Sequence, residues 1–129
     1  MENSDGVIFS SPEYDHSITS ALKSILEWLF FQVHPLDGKP TMIVGTSYGV
    51  KGTVRAQSHL RDILDSPKVN AHVMFRNEFM LGNAKENLNQ MSGLTCDESI
   101  KFLEKCFDNF SIFIDMHNKK DNRRDLNEN

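Results

Sequence analysis

Two short segments carry the residues best placed to bind a ligand. The first, Ser11-Pro12-Glu13-Tyr14-Asp15-His16-Ser17, follows the apolar run Gly6-Val7-Ile8-Phe9 and opens an amphipathic helix. The second, Gly45-Thr46-Ser47-Tyr48-Gly49-Val50-Lys51-Gly52, follows Thr41-Met42-Ile43-Val44 and precedes Val54-Arg55-Ala56-Gln57. Gly49 and Gly52 permit a tight loop with positive φ angles, and glycine lets backbone approach a ligand closely. Two strand-to-helix joints lie at one end of a parallel sheet, the end at which open α/β folds bind ligands. Other chemistries find less support. His16, His34, His59, His72 and His117 show no metal-ligand spacing. Cys96 and Cys106, ten residues apart near the last helix, read as buried small hydrophobes rather than redox centres. Lys51 reads as a solvated charge.

The joints need elements to hold them. Asp5 to Ser10 reads as a short buried strand. Leu22, Ile25, Leu26 and Leu29 then fall at helical spacing on one stripe, with Trp28 beside it in the core or at an interface. Ser17 or Ser20 would cap this helix. His34-Pro35-Leu36-Asp37-Gly38-Lys39-Pro40 is a turn-rich connector. Thr41 to Gly45 is apolar throughout, as a strand covered on both faces should be. A helix from Val54 to Leu64 buries Ala56, Leu60, Ile63 and Leu64 and ends at Ser66-Pro67. A third strand runs from Asn70 to Phe75, with Ala71, Val73 and Phe75 on one face. Arg76 to Gly93 has no clean period and reads as a loop. Thr95-Cys96-Asp97-Glu98 has the form of a capping box. It opens a helix carrying Ile100, Leu103, Phe107, Phe110 and Ile114, with Phe102 and Phe113 also assigned to core or interface.

The order strand-helix-strand-helix-strand-helix predicts an α/β fold: right-handed βαβ units in a three-stranded parallel sheet with helices on both faces. At 129 residues the chain suits one domain. That domain is expected over residues 1–116, with 117–129 a polar, solvated, disordered tail. A formal charge of −4 argues against nucleic-acid binding, which needs a basic face. No apolar run approaches the roughly 20 residues of a membrane span. The acidic start Met1-Glu2-Asn3-Ser4-Asp5 is no export signal. A cytoplasmic protein with reduced cysteines is the expectation.

Pro12-Glu13-Tyr14-Asp15-His16-Ser17-Ile18, followed by Ala21-Leu22-Lys23 and Leu26-Glu27-Trp28, resembles the Pro-Glu-Tyr-Asn segment of the NADPH-dependent FMN reductase family. These are flavodoxin-like proteins that include quinone, azo and chromate reductases. Gly45-Thr46-Ser47 through Gly52, with Arg55-Ala56-Gln57 and His59-Leu60-Arg61, is similar to the family's second flavin loop and following helix. The resemblance runs from about Asp5 to about Phe113. Asp15 stands where the family usually has Asn, and Thr19 where Pro is common. Asp15 would thus set a carboxylate near an electron-rich flavin.

The resemblance implies a partial flavodoxin-like three-layer sandwich. The chain would start just before the family's third strand, without the Gly-Ser-rich loop whose N–H groups hold the FMN phosphate. That expectation makes the chain a C-terminal portion of such a reductase with its first strand at an exposed edge. The implied cofactors are FMN and NADPH. Pro12, Glu13, Tyr14, Asp15 and Ser17 would line the flavin ring with Gly45, Thr46, Ser47, Tyr48, Gly49 and Gly52, largely through backbone groups. No catalytic acid or base is implied, because hydride transfer belongs to the cofactor. The partners implied are a homodimer through the Leu22–Leu29 and Ala56–Leu64 helices, or a separate N-terminal half. The rival reading is a non-enzymatic module that pairs with another chain through its sheet edge.

Overall fold

The computed structural model describes residues 1–91 and 93–127. Val7–Ser10 (β1) leads through Ser20–Gln32 (α1) to Pro40–Thr46 (β2). β1 and β2 pair in parallel, from Val7 opposite Thr41 to Ser10 opposite Val44. Val54–Leu64 (α2) follows, and then a third lane in two pieces. His72–Val73 (β3) pairs with Pro40 and Thr41, and Phe79–Leu81 (β4) pairs with Val44 to Thr46. Both pieces run parallel to β2. The expected α/β arrangement of three parallel lanes is therefore present, with β1 and the broken lane on opposite sides of β2.

Alternation along β2 sets the layers, because successive side chains of a strand point to opposite faces. Ile43 joins Phe9 of β1, Leu26 of α1, and Ala56, Leu60 and Leu64 of α2 in one core. Met42 and Val44 join Phe79 and Leu81 in a second core, closed by Cys106 and Phe110. Those two residues lie on Asp97–Asn127 (α4), so α1 and α2 cover one face and α4 the other.

The third lane departs most from expectation. The strand expected over Asn70 to Phe75 is only two residues long, and Phe75 is exposed. Arg76 adopts φ +56°, which no strand accommodates, and the chain re-enters the sheet at Phe79. Asn77 fills the gap: buried, it donates to the Cys106 carbonyl oxygen at 2.8 Å and to Met42 Sδ at 3.2 Å. The stretch read as a loop to Gly93 also holds the short helix Ala84–Asn87 (α3) and the antiparallel pair Leu88–Asn89 (β5) and Gly93–Leu94 (β6).

Smaller differences have local causes. Thr19, not Ser17 or Ser20, caps α1: it is extended, and its Oγ1 accepts from Leu22 N at 3.2 Å. Ile25 faces outward and Leu26 inward, so the apolar stripe of α1 is narrower than its composition suggests. Trp28 is 79% exposed and belongs to no core. The Thr95 hydroxyl donates to the Glu86 carbonyl oxygen instead of closing a capping box, and α4 begins two residues later. Phe110 is buried, whereas Phe102 and Phe107 are about half exposed. The polar stretch after Met116, expected as a disordered tail, is helical through Asn127. No Gly or Pro occurs between Asp97 and Asn127 to stop propagation, and polarity alone does not end a helix. Residues 128–129 of that tail lie outside the described residues. No helix among the described residues is long and apolar enough to cross a membrane.

Candidate functional site

The segment after β1 is a tight hairpin turn. Tyr14 and Ser17 exchange both backbone hydrogen bonds, at 2.9 and 3.0 Å. The two residues between them, Asp15 and His16, have φ of +46° and +67°. Two consecutive positive φ angles define a type I′ turn, for which Asn, Asp and Gly are the usual first residues. Asp15 thus occupies a position that asks for Asn or Asp on backbone grounds, and its side chain is exposed.

The second loop is built from both sides. Ser47 Oγ donates to the Gly52 carbonyl oxygen at 2.6 Å, closing the loop on itself. Gly52 sits at φ +61° against Met80. Gly45 is wedged between loops: a Cβ there would stand 2.4 Å from both the Ser11 carbonyl oxygen and Thr53 Oγ1. Ser47 N donates to the Leu81 carbonyl oxygen at 3.0 Å, and Ala84 N donates to that of Ser47 at 3.0 Å. These bonds hold α3 against the loop.

Glu13 joins the two loops. Its Oε2 accepts from Arg55 N at 2.9 Å and Ala56 N at 3.1 Å, two of the unpaired N–H groups in the first turn of α2. A carboxylate there also meets the positive end of the helix dipole. Two side-chain contacts reinforce the joint: Arg55 with His16 at 2.7 Å, and Ser17 with His59 at 2.7 Å. Behind them Gln57, 2% exposed, donates through Nε2 to Thr53 Oγ1 and to the Phe79 carbonyl oxygen.

Between the loops lies a cavity of about 460 Å³. Pro12, Glu13 and Tyr14 line one side, and Thr46, Ser47 and Tyr48 the other. Six of the residues expected at a binding site are thus brought together. Asp15, Ser17, Gly45, Gly49 and Gly52 stand outside the lining: Asp15 and Ser17 belong to the hairpin turn, Gly45 to the end of β2, and Gly49 and Gly52 to the second loop. Ala84, Lys85, Leu88 and Gln90 complete the wall. Sequence reading missed these four, because they sit in the stretch without periodicity. A volume in the range of small-ligand sites, two tyrosine rings and two lengths of loop backbone suit a flat ring with polar edges. The phosphate of a nucleotide has less to meet, since Lys85 is the one cation in this lining.

The cysteines lie elsewhere. Cys106 is buried, and burial pushes its thiol pKa up. Cys96 is partly exposed at the start of α4, which departs from the expected buried hydrophobe. The Ser99 backbone N–H, then its hydroxyl, then the Glu98 N–H hold the Cys96 thiol below its ordinary pKa. Among the described residues no group of three or more His, Cys, Asp or Glu is arranged to hold a metal ion.

Residues 1–86 match the family model described as NADPH-dependent FMN reductase. The CrdA subunit of NADH:(hydroxy)cinnamate reductase from Vibrio ruber is 42% identical over 119 residues, covering 92% of this chain and 59% of that protein. Subunit 2 of an NADH-dependent flavin reductase from Lactobacillus johnsonii is 40% identical over 124 residues, covering 92% and 67%. The solved structure of FerB, a flavoenzyme NAD(P)H:(acceptor) oxidoreductase from Paracoccus denitrificans, superposes with a TM-score of 0.77 at 30% identity, covering 90% of this chain and 64% of FerB. This chain therefore spans about 59–67% of the length of these relatives. Their reductase character does not favour the reading as a non-enzymatic pairing module. The match over two thirds of the chain, together with the joined loops, means that this chain belongs to the NADPH-dependent FMN reductase family.

Proposed function

We propose that this chain contributes the ring-binding part of an NAD(P)H-dependent flavin reductase. The observation that carries the reading is the convergence of the two loops on one cavity, tied by Glu13. Pro12, Glu13 and Tyr14 would hold one side of the flavin ring and Thr46, Ser47 and Tyr48 the other. Asp15 and Ser17 would fix the first loop, and Gly45, Gly49 and Gly52 the second. When bound, FMN supplies the redox chemistry, carrying a hydride equivalent from NADPH to FMN, quinone or azo acceptors. The protein's part is position and electrostatics. The loops present backbone donors and acceptors, the tyrosines shield the ring faces from water, and the Glu13 carboxylate is already engaged by α2.

Two surfaces support a larger assembly. Among the described residues no strand pairs with the outer edge of β1, so a separately encoded N-terminal half could extend the sheet there. On α1, Ile25, Trp28 and Phe31 form an exposed apolar patch suited to a second copy of this chain. The relatives named as subunits accord with such partnership. A cytoplasmic location remains part of this proposal.

The deciding experiment is titration of FMN into the purified chain, followed by flavin fluorescence, with riboflavin alongside. Saturable binding in the micromolar range supports the reading, and NADPH oxidation by the loaded protein would extend it. Absence of binding by either flavin overturns it for this chain.

A further inference from the structure

We propose that Lys85 makes this cavity selective for flat aromatic ligands that carry an anionic substituent. The inference rests on the flavin-reductase reading above and concerns the same cavity. Its starting point is the charge along the lining. Glu13 and Lys85 are the two formally charged residues there. The Glu13 carboxylate is already satisfied by two backbone N–H groups of α2. Lys85 makes no salt bridge among the described residues. Its Nζ lies 5.1 Å from the centroid of the Tyr48 ring, a cation held over an aromatic face. The ammonium is thereby placed beside the ring wall while its hydrogen-bond donors stay open to a ligand.

The exposed Lys85 side chain projects from an element anchored at the cavity. The bond from Ala84 N to the Ser47 carbonyl oxygen ties α3 to the second loop, one residue before the lysine. With Glu13 committed to α2, Lys85 is the one cation in the lining and favours an anion at short range. An aromatic body would pack against Tyr14 and Tyr48 while its anionic group meets Lys85. Such an anion could belong to an electron acceptor, as a carboxylate or sulfonate, or to the phosphate of a flavin nucleotide. The shared chemistry is a planar ring bearing a negative group.

The test compares matched ligands by calorimetry on the whole chain. The pairs are 1,4-naphthoquinone-2-sulfonate with neutral menadione, and FMN with riboflavin. Lys85→Met keeps the apolar stem over Tyr48 and removes the charge. It should weaken the charged member of at least one pair by about fivefold, the scale of a solvent-exposed ion pair. The neutral member should change by less than about twofold on the same scale. Loss confined to the sulfonate assigns the anion to the acceptor, and loss confined to FMN assigns it to the nucleotide phosphate. Lys85→Arg should retain the preference, and added salt should erode it. Equal changes in both members of each pair, or none, overturn the role of Lys85 while leaving the flavin reading intact. Failure of wild-type protein to bind any of the four overturns both.

Discussion

Cys96 shows how far a local environment can depart from what composition suggests. Its thiol accepts hydrogen bonds from Ser99 and Glu98 in the first turn of α4, and these favour the thiolate. A lowered pKa means that a larger thiolate fraction is present at any given pH, and the thiolate is the nucleophile. Cys106 has the opposite disposition, buried with its thiol pKa raised. Peptide-resolved labelling with iodoacetamide at pH 7 should therefore modify Cys96 well before Cys106. The rate at Cys96 should begin to rise at lower pH than that of an unstructured cysteine peptide. Equal labelling of the two sites in the folded protein would contradict this environment. Neither cysteine lines the candidate cavity.

Glu13 belongs to two elements at once, because it stands in the loop after β1 and completes the first turn of α2. Glu13→Gln keeps the shape and one acceptor oxygen but removes the charge that meets the helix terminus. The expected cost is about 1 kcal/mol of stability, read as a lowered midpoint in urea. Binding of FMN should weaken as well, since the first wall is located through this side chain. The residue types of both loops were legible in the sequence, as were β1, α1, β2 and α2, because period and glycine placement speak locally. The partner of Glu13 was not legible: nothing in Pro12-Glu13-Tyr14 points to Arg55 N or Ala56 N, some 42 residues away. The third lane was misread for a related reason. Phe79-Met80-Leu81 is too short for alternation to be visible, and its pairing with Val44 to Thr46 is what makes it a strand. Lys85, Leu88 and Gln90 were missed with it, since their place at the cavity follows from that pairing.

At the scale of the whole molecule, α1 turns Trp28 and Phe31 outward at 79% and 77% exposure. A monomer gains nothing by leaving such side chains in water, and contiguous apolar surface of this kind marks an interaction site. Sedimentation velocity across a range of protein concentrations should show self-association. Trp28→Lys should weaken it at least tenfold, on the scale of losing a buried tryptophan anchor. A wild-type chain that stays monomeric at high concentration would show that α1 serves no second copy. The gap in the third lane has a different kind of consequence. An apolar helix on an apolar sheet can slide by one turn at modest cost, because one leucine or phenylalanine replaces another. Asn77 opposes that exchange. Its amide meets one carbonyl of α4, that of Cys106, and its Oδ1 accepts from Asn109 one turn further on. A helix displaced by one turn would offer Nδ2 another backbone carbonyl and leave its contact with Met42 Sδ in place, but it would carry Asn109 away from Oδ1 and leave that buried oxygen unpaired, at a cost of about 1–3 kcal/mol. The interruption that spoils the strand thus favours one register of the longest helix over its neighbours.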